Sequence, residues 1–191
     1  MQLDWDVHFR EIVIPAWQAY LAAERRLTAA AKSGDWAAEE RAGFDALREG
    51  GAAAFYVHHY ADVVVRNQPY WLPNEITKVR PTLTWLGESC TRLRTGKSCD
   101  DVDLLRDVAE ALKHAILTHN LEARRVAANE AVLVVGTGYG ELPYGEGKFG
   151  GTVQVVVLAS GGARALSAIL QNVIDAWRVV SGLPLPEIGQ P

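Results

Sequence analysis

The stretch AVLVV (131–135), GTGYGELPYGEGKFGG (136–151), TVQVVVL (152–158) decides the architecture. Its two ends are short β-branched runs, and Val153, Val155 and Val157 alternate along the second. That pattern predicts two strands. The sixteen residues between them are rich in glycine, so the simplest arrangement is an antiparallel pair joined by a long loop. Nine of the 17 glycines lie between Gly136 and Gly162, and the rest of the chain holds the other eight. Two strands alone are marginal in water and need helices to lean on.

The flanking sequence supplies helices. Ile12, Ala16, Ala19, Ala23 and Leu27 recur at helical steps and predict a helix over 6–31, with Pro15 as a kink or a first turn. Gly34 suits its end and Asp35 the cap of the next. A second helix is predicted over 36–66, with Phe44, Leu47, Gly51, Ala54, His58, Ala61 and Val65 on its inward face. Gly50-Gly51 in its middle signals a kink, a break or the close approach of another helix. Leu83, Leu86, Cys90 and Leu93 predict a short helix after Pro81. A capping signature over Ser98–Asp101 opens another to about Thr118. Ser160-Gly161-Gly162 turns into a last helix over 163–180, and the tail 183–191 is expected to be loose. The fold class is therefore mainly α: a single domain over 1–191, with a bundle of four to five helices and a two-stranded antiparallel hairpin before the last helix. Its helical part spans 6–118 and its hairpin 131–158.

Composition narrows the function classes. The 191 residues carry 19 Lys and Arg against 23 Asp and Glu, a net charge of −4. That balance disfavours a phosphate-tracking nucleic-acid binder. No apolar run reaches the length of a membrane span, and the acidic N-terminus is unlike a signal peptide. Cys90 and Cys99 stand nine apart with no CxxC and no histidine nearby, which argues against a zinc ribbon or redox motif. The expectation is a reduced, cytoplasmic protein.

Three groups of residues carry chemical interest. His58 and Asp62 are four apart on the second helix, and Glu110 and His114 four apart on the helix after Ser98. Such spacing puts each pair on one helical face. If the faces meet, two imidazoles and two carboxylates converge as in a bundle metal site for a divalent ion. The bland alternative is two hydrogen-bonded pairs that orient helices, with no cofactor at all. The second group is the glycine-rich loop, in which Tyr139, Tyr144 and Phe149 each precede a glycine at steps of five. It lacks the glycine spacing of a dinucleotide fingerprint and of a P-loop. Tyr139, Tyr144 and Phe149 instead read as contacts to a protein partner or to a second copy in a homodimer.

The third group is the helix Leu105-Arg106-Asp107-Val108-Ala109-Glu110-Ala111-Leu112-Lys113-His114. It resembles the Arg-polar…His helix of HEPN-like helical proteins, many of them ribonucleases or nuclease-derived toxins. Seven residues separate Arg106 from His114, against four to six in that family, which sets the two about 80° apart around the helix and leaves Asp107 about 20° from His114. The resemblance implies a metal-independent ribonuclease, with Arg106 stabilising phosphate charge, His114 handling a proton and Asp107 beside it. It implies equally a non-catalytic relative acting as an interaction or regulatory module. The leading expectation is that module, with the ribonuclease and the metalloprotein as alternatives.

Overall fold

A computed structural model describes residues 4–92, 95–114, 125–126, 128–136, 142–143, 146–148 and 152–184. Helix α1 (Trp5–His8) runs through a π-helical turn, Phe9–Val13, into α2 (Ile14–Ser33). There follow α3 (Trp36–Asn67), α4 (Val79–Glu88) and α5 (Asp101–His114). Strands β1 (Val132–Val135), β2 (Gln154–Ala159) and β3 (Gly162–Ala165) precede the last helix, α6 (Leu166–Ser181). The described residues are mainly helical, with a small antiparallel sheet. No described helix is long and apolar enough to cross a membrane.

Each helical boundary has a local cause. Pro15 has no N–H, and its ring would crowd the carbonyl one turn back. The π turn just before it, with the Ile14 N–H bonded to the Phe9 carbonyl, widens the helix there. Gly34 ends α2 in the left-handed region at φ 73°, and the Asp35 side chain accepts from the N–H groups of Ala37 and Ala38 to start α3.

Helix α3 is continuous through Gly50-Gly51. A Cβ on Gly50 would lie 2.9 Å from Leu166 Cδ2 and 3.1 Å from the Tyr20 ring, so the glycine admits α2 and α6 together. Of the three readings of that glycine pair, close approach is the one the packing shows. The inward face of α3 carries Gly43, Ala46, Gly50, Ala53, Ala54, Val57, Tyr60, Ala61 and Val64. Ala54, His58 and Ala61 of the expected face are buried, but in the first half of the helix the face is rotated by one position and Phe44 is exposed. The core centres on Trp17, Tyr20, Tyr60 and Trp177 with the aliphatics of α5, β2 and α6.

The sheet corrects the expected two-stranded hairpin. Its order is β1-β2-β3, with Val132 opposite Val157 and Val156 opposite Ala165. Ala159 pairs with Gly162, so Ser160-Gly161 is a two-residue hairpin turn and not the start of a helix. Residues 162–165 become a third strand, and α6 begins at Leu166 instead of 163. Helix α4 likewise ends at Glu88. Cys90 and Thr91 continue into a small turn closed by the Thr91–Ser98 bridge. At the C-terminus, Leu183 packs on the core and the Pro184 carbonyl accepts from Arg178, while 185–191 lie outside the described residues.

Candidate functional site

The packing of α3 on α5 brings one half of the expected polar constellation together. His58 is 8% exposed. Burial first, and then His59, lower its imidazole to about 4, although the Glu110 and Asp62 carboxylates pull the other way. His58 is therefore neutral across the physiological range and lies within electrostatic reach of Glu110, Asp62 and Arg106. Asp62 gives its carboxylate to His59 Nδ1 at 3.0 Å. Among the described residues no three His, Cys, Asp or Glu groups gather to hold a metal. The His114 side chain, the fourth member of that set, lies outside the described residues.

Arg106 is engaged within its own helix. Its Nη1 donates to Asp103 Oδ1 at 2.8 Å, and its Nε and Nη2 donate to Asp107 Oδ1 at 3.2 and 3.1 Å. Asp107 is fully buried, and its second oxygen accepts the Arg125 N–H at 2.9 Å. In this arrangement the guanidinium is matched by two carboxylates, and Asp107 fastens α5 to residue 125.

Two ionic clusters, neither legible as a motif, anchor the described parts of the glycine-rich segment. In the first, Arg164 on β3 donates to Asp101 Oδ1 and Oδ2 at 2.6 and 3.0 Å, and through Nε to Glu146 at 2.8 Å. Asn172 donates to Asp101 Oδ2 at 2.7 Å. Burial opposes the Arg164 charge, but the hydrogen bonds to Asp101 and Glu146 outweigh it and hold the guanidinium above its ordinary value. In the second, Lys148 donates to the Glu24 carboxylate, to Thr28 Oγ1 at 2.7 Å and to the Val153 carbonyl at 3.2 Å. Glu24 also accepts from the Tyr20 hydroxyl and the Val155 N–H, which ties α2 to β2. Burial and then Glu24 push the Tyr20 phenol well above its ordinary range. Tyr139, Tyr144 and Phe149, the expected partner contacts, lie outside the described residues.

A surface groove of about 480 Å³ runs between the first turns of α3 and strand β1. Trp36, Phe44 and Leu47 line it from the helix, Val134 and Val135 from β1, and Val153 from the residue before β2. Trp36 is 76% exposed and Phe44 66%. Phe44, expected on the inward face of α3, thus faces outward, and Trp36 is exposed where Trp17 and Trp177 are buried. Phe44 lies one position beyond Gly43, where a Cβ would stand 3.6 Å from Val134 Cγ1, and that single step turns its ring outward. Glu39 and Glu40 stand on the rim, and neither makes an ion pair among the described residues. Strand β1 ends the sheet order, so one edge of Val132–Val135 has no partner strand among the described residues.

No protein-family model, curated protein or solved structure matches the chain. The function therefore rests on these surfaces alone.

Both cysteines are free thiols, and the fold adds a proximity that their spacing does not show. Cys90 and Cys99 meet across the small turn, with their sulfurs 3.4 Å apart. The Thr91–Ser98 bridge brings them together, and a nine-residue separation without CxxC carries no signature of it.

Proposed function

We propose that the chain is a protein-interaction module that receives an extended partner segment in the groove between α3 and β1. The carrying observation is the exposure of Trp36 and Phe44 in a groove that Val134 and Val135 of the end strand also line. Large exposed aromatics grouped at a groove mark contact surfaces. The edge of Val132–Val135 that has no partner strand among the described residues, with no lysine or proline to blunt it, can accept a further strand through main-chain hydrogen bonds. Glu39 and Glu40, which make no ion pair among the described residues, select the occupant: a short segment that alternates apolar side chains and carries at least one Lys or Arg. Two copies of this surface would bring these carboxylates together, which weighs against self-pairing.

The ribonuclease and metal readings receive less support from this geometry. The Arg106 guanidinium is already matched by Asp103 and Asp107, and the described carboxylates and imidazoles around His58 form no three-ligand set.

The test is a displayed-peptide selection on the folded protein, counter-selected on the Trp36→Ala and Phe44→Asp variants. Enrichment of apolar-and-basic peptides that bind the wild type and neither variant supports the reading. Peptides indifferent to both variants overturn it. So does a concentration-dependent dimer that Phe44→Asp abolishes, since the occupant is then a second copy.

A further inference from the structure

We propose that Cys90 and Cys99 form a thiol–disulfide exchange site that low-molecular-weight disulfides oxidise to an intramolecular bond. The backbone already has the required placement. The Cys99 N–H donates to the Cys90 carbonyl at 3.0 Å, and Thr91 bridges Ser98 beside it. Cys90 and Cys99 are thus directly opposed on two antiparallel segments. Hydrogen-bonded partners in such a ladder have Cα atoms about 5.5 Å apart, inside the range of about 4.4–6.8 Å that a disulfide spans. The sulfurs, at 3.4 Å, need to close by only about 1.4 Å to bond.

The two thiols differ in a way that orders the reaction. Cys90 is completely buried, whereas Cys99 is half-buried. The hydrogen bond between them lowers the Cys99 thiol and, with burial, raises that of Cys90. Thiolate character and access together select the attacking group, and both favour Cys99. The Cys99 thiolate attacks one sulfur of the small disulfide, forms a mixed disulfide and releases one small thiolate. The Cys90 sulfur then attacks the Cys99 sulfur, its proton passing to the second small thiolate as that leaves. The protein loses two protons and two electrons, and the small disulfide is reduced to two thiols.

The site connects to the interior. Cys90 Sγ lies 3.7 Å from the Asn172 carbonyl, and Asn172 shares Asp101 with Arg164. Bonding Cys90 to Cys99 therefore fixes the segment that leads into Asp101, at the first turn of α5.

The experiment uses the full chain with oxidised glutathione as the probe, followed by acid quench, alkylation and intact mass. The wild type is expected to lose both alkylatable thiols and two hydrogen atoms in mass, with recovery in dithiothreitol. Cys90→Ser is expected to stop at one glutathione adduct on Cys99. Cys99→Ser is expected to form no adduct, because the remaining thiol is buried. A wild type that keeps both thiols, accumulates a stable adduct or cross-links between chains overturns the proposal. So does an adduct on Cys90 in Cys99→Ser when circular dichroism shows that variant folded. If either serine variant fails to fold, the wild-type mass and thiol count decide alone.

Discussion

Arg164 and Asp101 form a two-pronged ion pair in the protein's interior, with N–O distances of 2.6 and 3.0 Å and almost no exposure of either side chain. The pair joins β3 to the first turn of α5, and Glu146 completes it from the glycine-rich segment. Removing one member leaves the other charge buried without its partner, which costs about 3–5 kcal/mol. Arg164→Met is expected to lower unfolding stability by that order in urea titration. Arg164→Lys keeps the charge but loses the forked geometry and is expected to recover only part of it.

The two adjacent glycines of α3 are expected to respond with opposite signs. An alanine at Gly50 meets Leu166 Cδ2 at 2.9 Å and the Tyr20 ring at 3.1 Å, both wholly buried, so any shift that relieves the contact repacks the core. Overpacking of this kind costs about 1–3 kcal/mol, which exceeds the gain of about 1 kcal/mol in helix propensity. Gly50→Ala is therefore expected to be less stable than the wild type. At Gly51 the new methyl meets only Leu112 Cδ1 at 3.5 Å, an ordinary contact. Gly51→Ala is expected to gain about 0.5–1 kcal/mol. Thermal midpoints of the two variants check both signs.

Acid is expected to weaken the fold through His58. Its imidazole is lowered to about 4 in the folded chain by burial and is near 6.5 when unfolded. As pH falls below about 6.5 the unfolded chain takes up a proton that the folded chain refuses, so stability drops until about pH 4. The full effect is of the order of 3 kcal/mol. Stability measured from pH 7 to pH 4 is expected to fall more steeply in the wild type than in His58→Gln. Equal slopes in the two proteins would show that another group carries the acid sensitivity.

Periodicity exposed the helices because each buries a stripe, and the β-branched runs marked β1 and β2, although β2 buries Val155, Val156 and Val157 on both of its faces. It also marked Gly34 and Asp35 as the boundary of α2 and α3, where backbone conformation and a single side chain suffice. It missed β3, since GARA (162–165) is too short and too poor in β-branched residues to read as a strand. What holds it is pairing with β2 and the Arg164 ion pair, both non-local. It placed Phe44 inside because a long helix near 3.6 residues per turn drifts against a three-and-four count, and one residue changes the face. Within the candidate sites, the neighbourhood of His58, Asp62 and Glu110 was visible from four-residue spacing. The Glu24–Lys148 pair was not, because its partners are far apart in sequence and meet only once the sheet is laid on α2.

The groove gives a last prediction, separable from stability. Trp36 and Phe44 are mostly exposed, so replacing them removes little buried surface from the fold. Exposed substitutions of this kind typically change stability by no more than about 0.5 kcal/mol. The Trp36→Ala, Phe44→Ser double variant is expected to unfold at the wild-type urea midpoint within that margin. A core role for Phe44, as helical spacing alone implied, would instead cost about 3–5 kcal/mol on truncation. The urea midpoint therefore separates a contact surface from a packing position without any knowledge of the partner.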